Sequence, residues 1–453
     1  MQPSIGRRCL VSPPPPLALA ASICPTYHLA RLVRLRIVQA IRLDIRPINW
    51  LACKAGGRLW PGIYFSRLSG LRLVDVPVPA LPGAGWVRLR TILGGICGTD
   101  LALIRLRQHP GSMLRCFLQF PVILGHENVA IIDEVGPAAA QAGWSHGQRV
   151  CVEPTLACQA RGIEPPCPAC AAGRFNLCRR FADGDLPVGM MIGLCGFTSG
   201  SWAQYFLAHH SQLHPVPKTI SDQQAVLTDP LACAVHAVLR RAPKPSERVL
   251  VLGGGIIGLG TIAALRALAK PASLTAVVRY HHQAELARRL GADTVIRWHG
   301  SDSAATRYRK LAQAASATCL PGAFGNQFVL GGFDLVYDCL GTGASLTDAM
   351  KWARPAGTVV ELGTTPTIRL EATPLWFSEL TLVGCNGRQI ESYAARRMHT
   401  YRVVFELISS GRLQTAGLLT HTFALHDYRR AFAALADRAR SGLIKAAFAP
   451  AQP

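Results

Sequence analysis

Three groups of residues in this 453-residue chain have types and spacings that suit chemistry. The first is the run Gly95-Ile96-Cys97-Gly98-Thr99-Asp100-Leu101, followed 29 residues after Cys97 by Gly125-His126-Glu127. A thiolate, an imidazole and a carboxylate are donors that zinc takes where it also keeps a position open for reaction. A fourth donor is offered by residues 228–237, as Asp229 or Cys233. Alone, Cys97 would read as a small buried apolar residue and His126 as a satisfied core histidine. Together they read as a catalytic metal site. The second group is Cys158, Cys167, Cys170 and Cys178, four thiols within 21 residues, two of them as C-x-x-C. This spacing predicts a closed tetrahedral structural zinc lobe. The surrounding loop is rich in Pro and Gly and has little core of its own, so metal should supply its folding energy. A disulfide pair and a nucleic-acid zinc knuckle are the alternatives. The third group is Gly253, Gly255 and Gly258 in Gly-Gly-Gly-Ile-Ile-Gly, directly after Val-Leu-Val-Leu. Glycines between a strand and a helix allow a tight turn, a close backbone approach to pyrophosphate and close helix packing, while the helix N-terminus offers N–H groups to the anion. The next strand ends at Val277-Val278-Arg279-Tyr280, with no acid to bind a ribose 2′-hydroxyl. Arg279 is placed to meet a 2′-phosphate, which favours NADP over NAD.

The elements that must position these groups fall into two patterns. From residue 51 to about 215, short β-rich runs at 71–76, 87–92, 129–135 and 149–152 are separated by Gly and Pro, which predicts a compact, mostly β domain. From 216 to 385 strands alternate with helices: strand 249–252, helix 256–269, strand 274–278, helix 283–290, strand 334–338, helix 345–352 and strand 358–362. That alternation predicts right-handed βαβ units in a parallel sheet. Residues 301–332 are expected to hold one helix plus an irregular loop. Residues 386–453 are expected to form helices at 393–409 and 425–436 and a strand at 443–448, and to return to the first domain.

Composition sets the outer limits. Half the chain is hydrophobic (49%) and 16% is charged, which excludes wholesale disorder. No uncharged apolar run reaches the ~18 residues of a membrane span. The net charge of +22 comes from 48 basic and 26 acidic residues, but the excess is scattered and only seven of the basic residues are Lys. A scattered Arg bias points to composition rather than to a nucleic-acid surface. Cysteines clustered as metal donors suit a reducing, cytoplasmic setting. Residues 1–50, Arg-rich with Asp44 their one acid, read as an unstructured basic extension. A targeting segment is the alternative. Apolar spacing at 32–45 suggests a basic amphipathic helix within it.

Taken together and in this order, the five motifs resemble the medium-chain zinc-dependent alcohol dehydrogenase family, from about residue 51 to 450. The resemblance implies an α/β architecture: a GroES-like β domain carrying a structural zinc lobe at 151–180, and a Rossmann domain with a doubly wound parallel sheet, the active site lying between them. It implies that Cys97 and His126 ligate a catalytic zinc, with Glu127 a ligand or close exchangeable neighbour. Asp229 matches the Glu of the polyol-dehydrogenase motif and Cys233 the Cys of the yeast-type enzymes; the stretch as a whole follows the polyol and threonine dehydrogenase pattern, which favours Asp229. Thr99 would accept the substrate hydroxyl proton, and Asp100 would orient His126. The implied activity is hydride transfer between a secondary alcohol, polyol or amino alcohol, or the matching carbonyl, and NAD or NADP. Family habit implies a homodimer or homotetramer. A basic zinc protein that binds or senses redox state on the same scaffold is the competing reading. Two features depart from the family pattern besides the missing acid. Glu164 stands where the first structural Cys normally lies, leaving Cys158 as its substitute. Leu101 and Ala102 stand where many relatives carry a proton-relay His.

Overall fold

A computed structural model of the chain describes residues 36–109, 111–364 and 366–451. The first half is built on a seven-stranded sheet centred on Trp86–Gly95, which pairs antiparallel with Glu127–Val135 and with Tyr205–His209. Buried and half-buried positions alternate along the middle of Trp86–Gly95, and its last three residues are all buried. That end of the strand lies inside the molecule, and Cys97 follows one residue beyond it, after Ile96. Lys445–Phe448 and Leu419–Phe423, from the end of the chain, complete one side of this sheet.

The second half is a six-stranded parallel sheet. Its spatial order is Thr294–Arg297, Ser273–Val278, Arg248–Leu252, Phe333–Asp338, Ala353–Glu361, Thr381–Gly384. Numbered along the chain this is 3-2-1-4-5-6, whose reversal beside the first strand opens a crevice at the carboxyl ends of the strands. Residues 249–252 are buried on both faces, as a parallel strand covered by helices requires. Leu93, Val129 and Cys151 of the first half share one apolar core with Val235, Val249 and Leu259 of the second.

Four expectations differ from the structure. Residues 36–50 are not an unstructured extension, and residues 32–45 do not supply a helix over their described part. Ile37–Leu43 is a strand paired along its length with Leu71–Pro77, and Pro47–Gly56 is a helix. The rest of the expected extension lies outside the described residues. The helix expected at 393–409 begins only at Thr400, because Ile390–Tyr393 and Arg396–His399 form a hairpin. The loop expected within 301–332 contains a second hairpin, Thr318–Pro321 with Gln327–Leu330. Among the described residues no helix is long and apolar enough to cross a membrane.

Candidate active site and metal centres

Cys97 closes the turn between the central strand and the helix Gly98–Ile104, and its Sγ accepts from the Thr99 N–H at 3.5 Å. Asp100, fully buried, ties the turn to the next donor. Its Oδ2 accepts from the Cys97 N–H at 3.0 Å, and its Oδ1 lies 3.5 Å from His126 Nδ1. His126 follows Gly125, whose φ of +101° favours glycine and whose Cβ would sit 2.5 Å from the Trp202 ring. Glu127 opens the strand Glu127–Val135. Gly95 leaves room for its carboxylate: a Cβ there would lie 2.2 Å from Glu127 Oε2. The result is a cluster in which donor atoms of Cys97, His126 and Glu127 all lie within 4.8 Å of one another.

Burial and neighbouring charges pull in opposite directions on the groups of this cluster. Burial alone would lower His126, but the Asp100 carboxylate and the Cys97 thiol outweigh it and hold the imidazole well above its ordinary range. Burial raises the Glu127 carboxyl, against the pull of Lys445 and His126. Sulfur, nitrogen and oxygen donors converging in one pocket, with Asp100 beside the imidazole, fit zinc.

The structure does not bring Asp229 or Cys233 into this cluster. Both lie on the helix Thr228–Arg240, where Asp229 is held by Arg388 Nη1 at 3.0 Å and by the Tyr401 hydroxyl at 2.7 Å. Arg388, itself buried, also pairs with Glu153 at 3.3 Å and donates to Cys233 Sγ at 3.6 Å. An ion pair formed across the fold thus occupies the carboxylate expected as a fourth donor, and burial pushes the Cys233 thiol up to about 12. Arg388, Glu153, Tyr401 and Lys445 carry no motif. Only a buried Arg or Lys opposite an unpaired acid would have marked them, and burial is not visible in the sequence.

Cys158, Cys167, Cys170 and Cys178 come together, all buried, with their sulfurs within 4.8 Å of one another. None is in a disulfide; Cys158 and Cys178 are 3.7 Å apart. Backbone N–H groups of Cys167, Arg179 and Arg180 point at Cys158, Cys167 and Cys178 Sγ at 3.3, 3.5 and 3.4 Å. Burial would raise Cys167, but the N–H groups of Arg179 and Cys170 and the neighbouring thiols of Cys170 and Cys158 bring it down to about 6. N–H groups aimed at sulfur favour thiolates, which fits a four-thiolate metal site. Cys158 stands in the cluster; Glu164 does not.

The glycine turn is open where an anion would enter. Gly253 has φ +121°, and a Cβ on Gly258 would lie 1.9 Å from the Gly253 carbonyl oxygen. The place of a Cβ on Gly255 is free except for Arg438 Nη1 at 3.9 Å. Arg438, from the short helix Arg438–Ser441, is half-buried, and its charge depresses both His282 and Arg105 after burial does. No motif in the sequence around it marks it. Arg279 is exposed directly after Val278, with its guanidinium 5.5 Å from the Tyr280 ring.

Two family models match the chain: an alcohol dehydrogenase GroES-like domain over residues 83–218 and a zinc-binding dehydrogenase over residues 258–409. The L-idonate 5-dehydrogenase of Vitis vinifera is 27% identical over 373 residues, covering 81% of this chain and 89% of that protein. The L-threonine 3-dehydrogenase of Rhizobium johnstonii is 28% identical over 368 residues, covering 81% and 92%. An Escherichia coli CFT073 alcohol dehydrogenase solved in complex with NADH shares the fold with a TM-score of 0.66 at 21% identity, covering 91% of this chain and 99% of that one.

Proposed function

The chain belongs to the zinc-dependent medium-chain alcohol dehydrogenase family, and from that premise we propose a site-by-site reading of its activity. Cys97, His126 and Glu127 hold the catalytic zinc, and a secondary alcohol, polyol or amino alcohol is oxidised beside it, or the matching carbonyl reduced. The observation that carries this is the convergence of those three donors within 4.8 Å, one turn from Thr99. When bound, zinc supplies Lewis acidity at the substrate oxygen and the nicotinamide supplies the hydride acceptor. The protein does the rest. Asp100 fixes His126, Lys445 fixes Glu127, and the Thr99 hydroxyl takes the proton from the substrate hydroxyl. The carbon-bound hydrogen leaves as hydride toward the crevice of the parallel sheet.

The glycine turn takes the pyrophosphate, with Arg438 beside it. Arg279, in a strand end without an acid, favours the 2′-phosphate of NADP. The four-cysteine lobe holds a second, structural zinc, and the molecule works as a dimer or tetramer in the cytoplasm. Metal analysis with a cofactor titration tests these assignments. The wild type should carry two zinc per chain, Cys97→Ser one with no turnover, and Cys170→Ser one or none with loss of stability. Arg279→Asp should weaken NADPH binding at least about tenfold, the worth of one charged contact, and leave NADH nearly unchanged. Full metal and turnover in Cys97→Ser would overturn the catalytic assignment.

A further inference from the structure

The two halves of the molecule meet at a pair of hydroxyls. Thr99 Oγ1 lies 3.3 Å from Thr364 Oγ1. Thr99 sits in the first turn of the helix Gly98–Ile104, and Thr364 in the loop after the strand Ala353–Glu361, at the carboxyl edge of the parallel sheet. Thr99 is half-buried and Thr364 is exposed. On its other side Thr99 Oγ1 is 3.6 Å from Cys97 Sγ, so it stands between the metal donors and a hydroxyl that water reaches. Next along the helix, the Asp100 carboxylate accepts from the Cys97 N–H and lies beside His126, and Leu101 and Ala102 beyond it carry no group that can take up or release a proton.

We propose that Thr364 is the second link of the proton exit. The proton leaving the substrate hydroxyl is taken by Thr99 Oγ1 as Thr99 gives its own proton to Thr364 Oγ1, and Thr364 gives its own to water. Each threonine breaks one O–H bond and forms one, so neither accumulates charge. The hydride goes separately to the nicotinamide, and the products are one carbonyl, one reduced cofactor and one solvated proton. Carbonyl reduction runs the same chain inward. The relay rests on the reading of Thr99 as proton acceptor given above. Thr364 acts through Thr99 and is a positioning residue for that hydroxyl. Because the pair bridges the two halves, the exit is complete only when they are closed on each other.

The test measures proton release with a pH indicator in stopped flow, on zinc-loaded protein saturated with oxidised cofactor and mixed with 1,1,1-trifluoro-2-propanol, alongside the cofactor Kd. A positioned proton carrier contributes about 10²–10⁴-fold, and a water that partly replaces it leaves a loss of at least about tenfold. Thr364→Val should therefore slow proton release at least about tenfold with cofactor Kd unchanged. Thr364→Ser should release at the wild-type rate, and dissolved imidazole should restore Thr364→Val. Release at the wild-type rate in Thr364→Val, or a loss that appears as weaker cofactor binding, overturns the relay. Thr99→Val separates the two claims. If it is slow while Thr364→Val is fast, the relay alone fails. If both are fast, or the wild type releases no proton, the reading of Thr99 fails and takes the relay with it.

Discussion

Lys445 and Glu127 form an ion pair from which water is excluded, each side chain about 1% exposed. Lys445 also donates to the Ile96 carbonyl at 2.9 Å, which pins the end of the chain to the residue before Cys97. A buried charge that loses its partner costs about 3–5 kcal/mol, whereas removing both charges costs much less. Lys445→Met should therefore destabilise the zinc-stripped protein by about that amount. Lys445→Met with Glu127→Gln should recover most of it. The zinc proposed beside Glu127 would change the balance, because a cation there supplies the missing compensation. The loss in Lys445→Met should shrink on zinc loading, as measured by urea unfolding with and without chelator. An equal loss in both states would show that Glu127 does not face the metal.

At the scale of elements, the cysteine lobe depends on a cation as well as on its thiols. Arg161 is fully buried and donates to the carbonyls of Leu156, Asp183, Leu186, Pro187 and Gly189. Five acceptors for five guanidinium N–H groups is a use that Lys cannot replace. Arg161→Met leaves those carbonyls without donors. It should speed loss of the zinc proposed for the lobe at least about tenfold, one destabilised hydrogen-bond network being worth more than about 1.4 kcal/mol. Hydrogen exchange should rise at 157–190 and stay unchanged around Cys97 and His126. Unchanged exchange at 157–190 would sink the idea. The thiols themselves were legible in the sequence because donor type and spacing are local, and so was the strand–helix alternation of the second half. Long-range pairing was not. Ile37–Leu43 has apolar residues that fit either period, and Leu71–Pro77, some thirty positions away, decides for strand. The hairpin before Thr400 turns on Ala394 and Ala395, at φ +49° and +59°. Gly or Asn would have announced that turn; alanine does not. Asp229 looked like a metal donor because Arg388, which claims it, comes 159 residues later.

For the whole molecule, the seam between first half and chain end is lined by histidines held neutral. His214, from the strand Leu213–Pro215, stacks at 4.2 Å on His399, which ends the strand Arg396–His399, and both rings touch Tyr401. Burial, helped by Arg402, lowers His214 to about 3. Burial, helped by His214 and Arg388, lowers His399 well below its ordinary value. Above the unfolded value of about 6.5 both states are neutral and these rings give no pH dependence. As pH falls from there toward the folded values, the unfolded chain binds protons that the folded one refuses, so stability falls by about 1.4 kcal/mol per pH unit for each ring. Urea midpoints should hold level from pH 7.5 to 6.5 and drop steeply from 6.5 to 5. His214→Phe keeps a ring against His399 and removes one of the depressed rings, the buried His209 at about 4 being another, so its drop should be shallower by one ring's share, about 1.4 kcal/mol per pH unit. Metal loss in acid would act on wild type and variant alike, since His214 is outside both donor clusters. Equal slopes in the two proteins would therefore assign the acid sensitivity to the metal sites, and a shallower slope in His214→Phe assigns it to the seam.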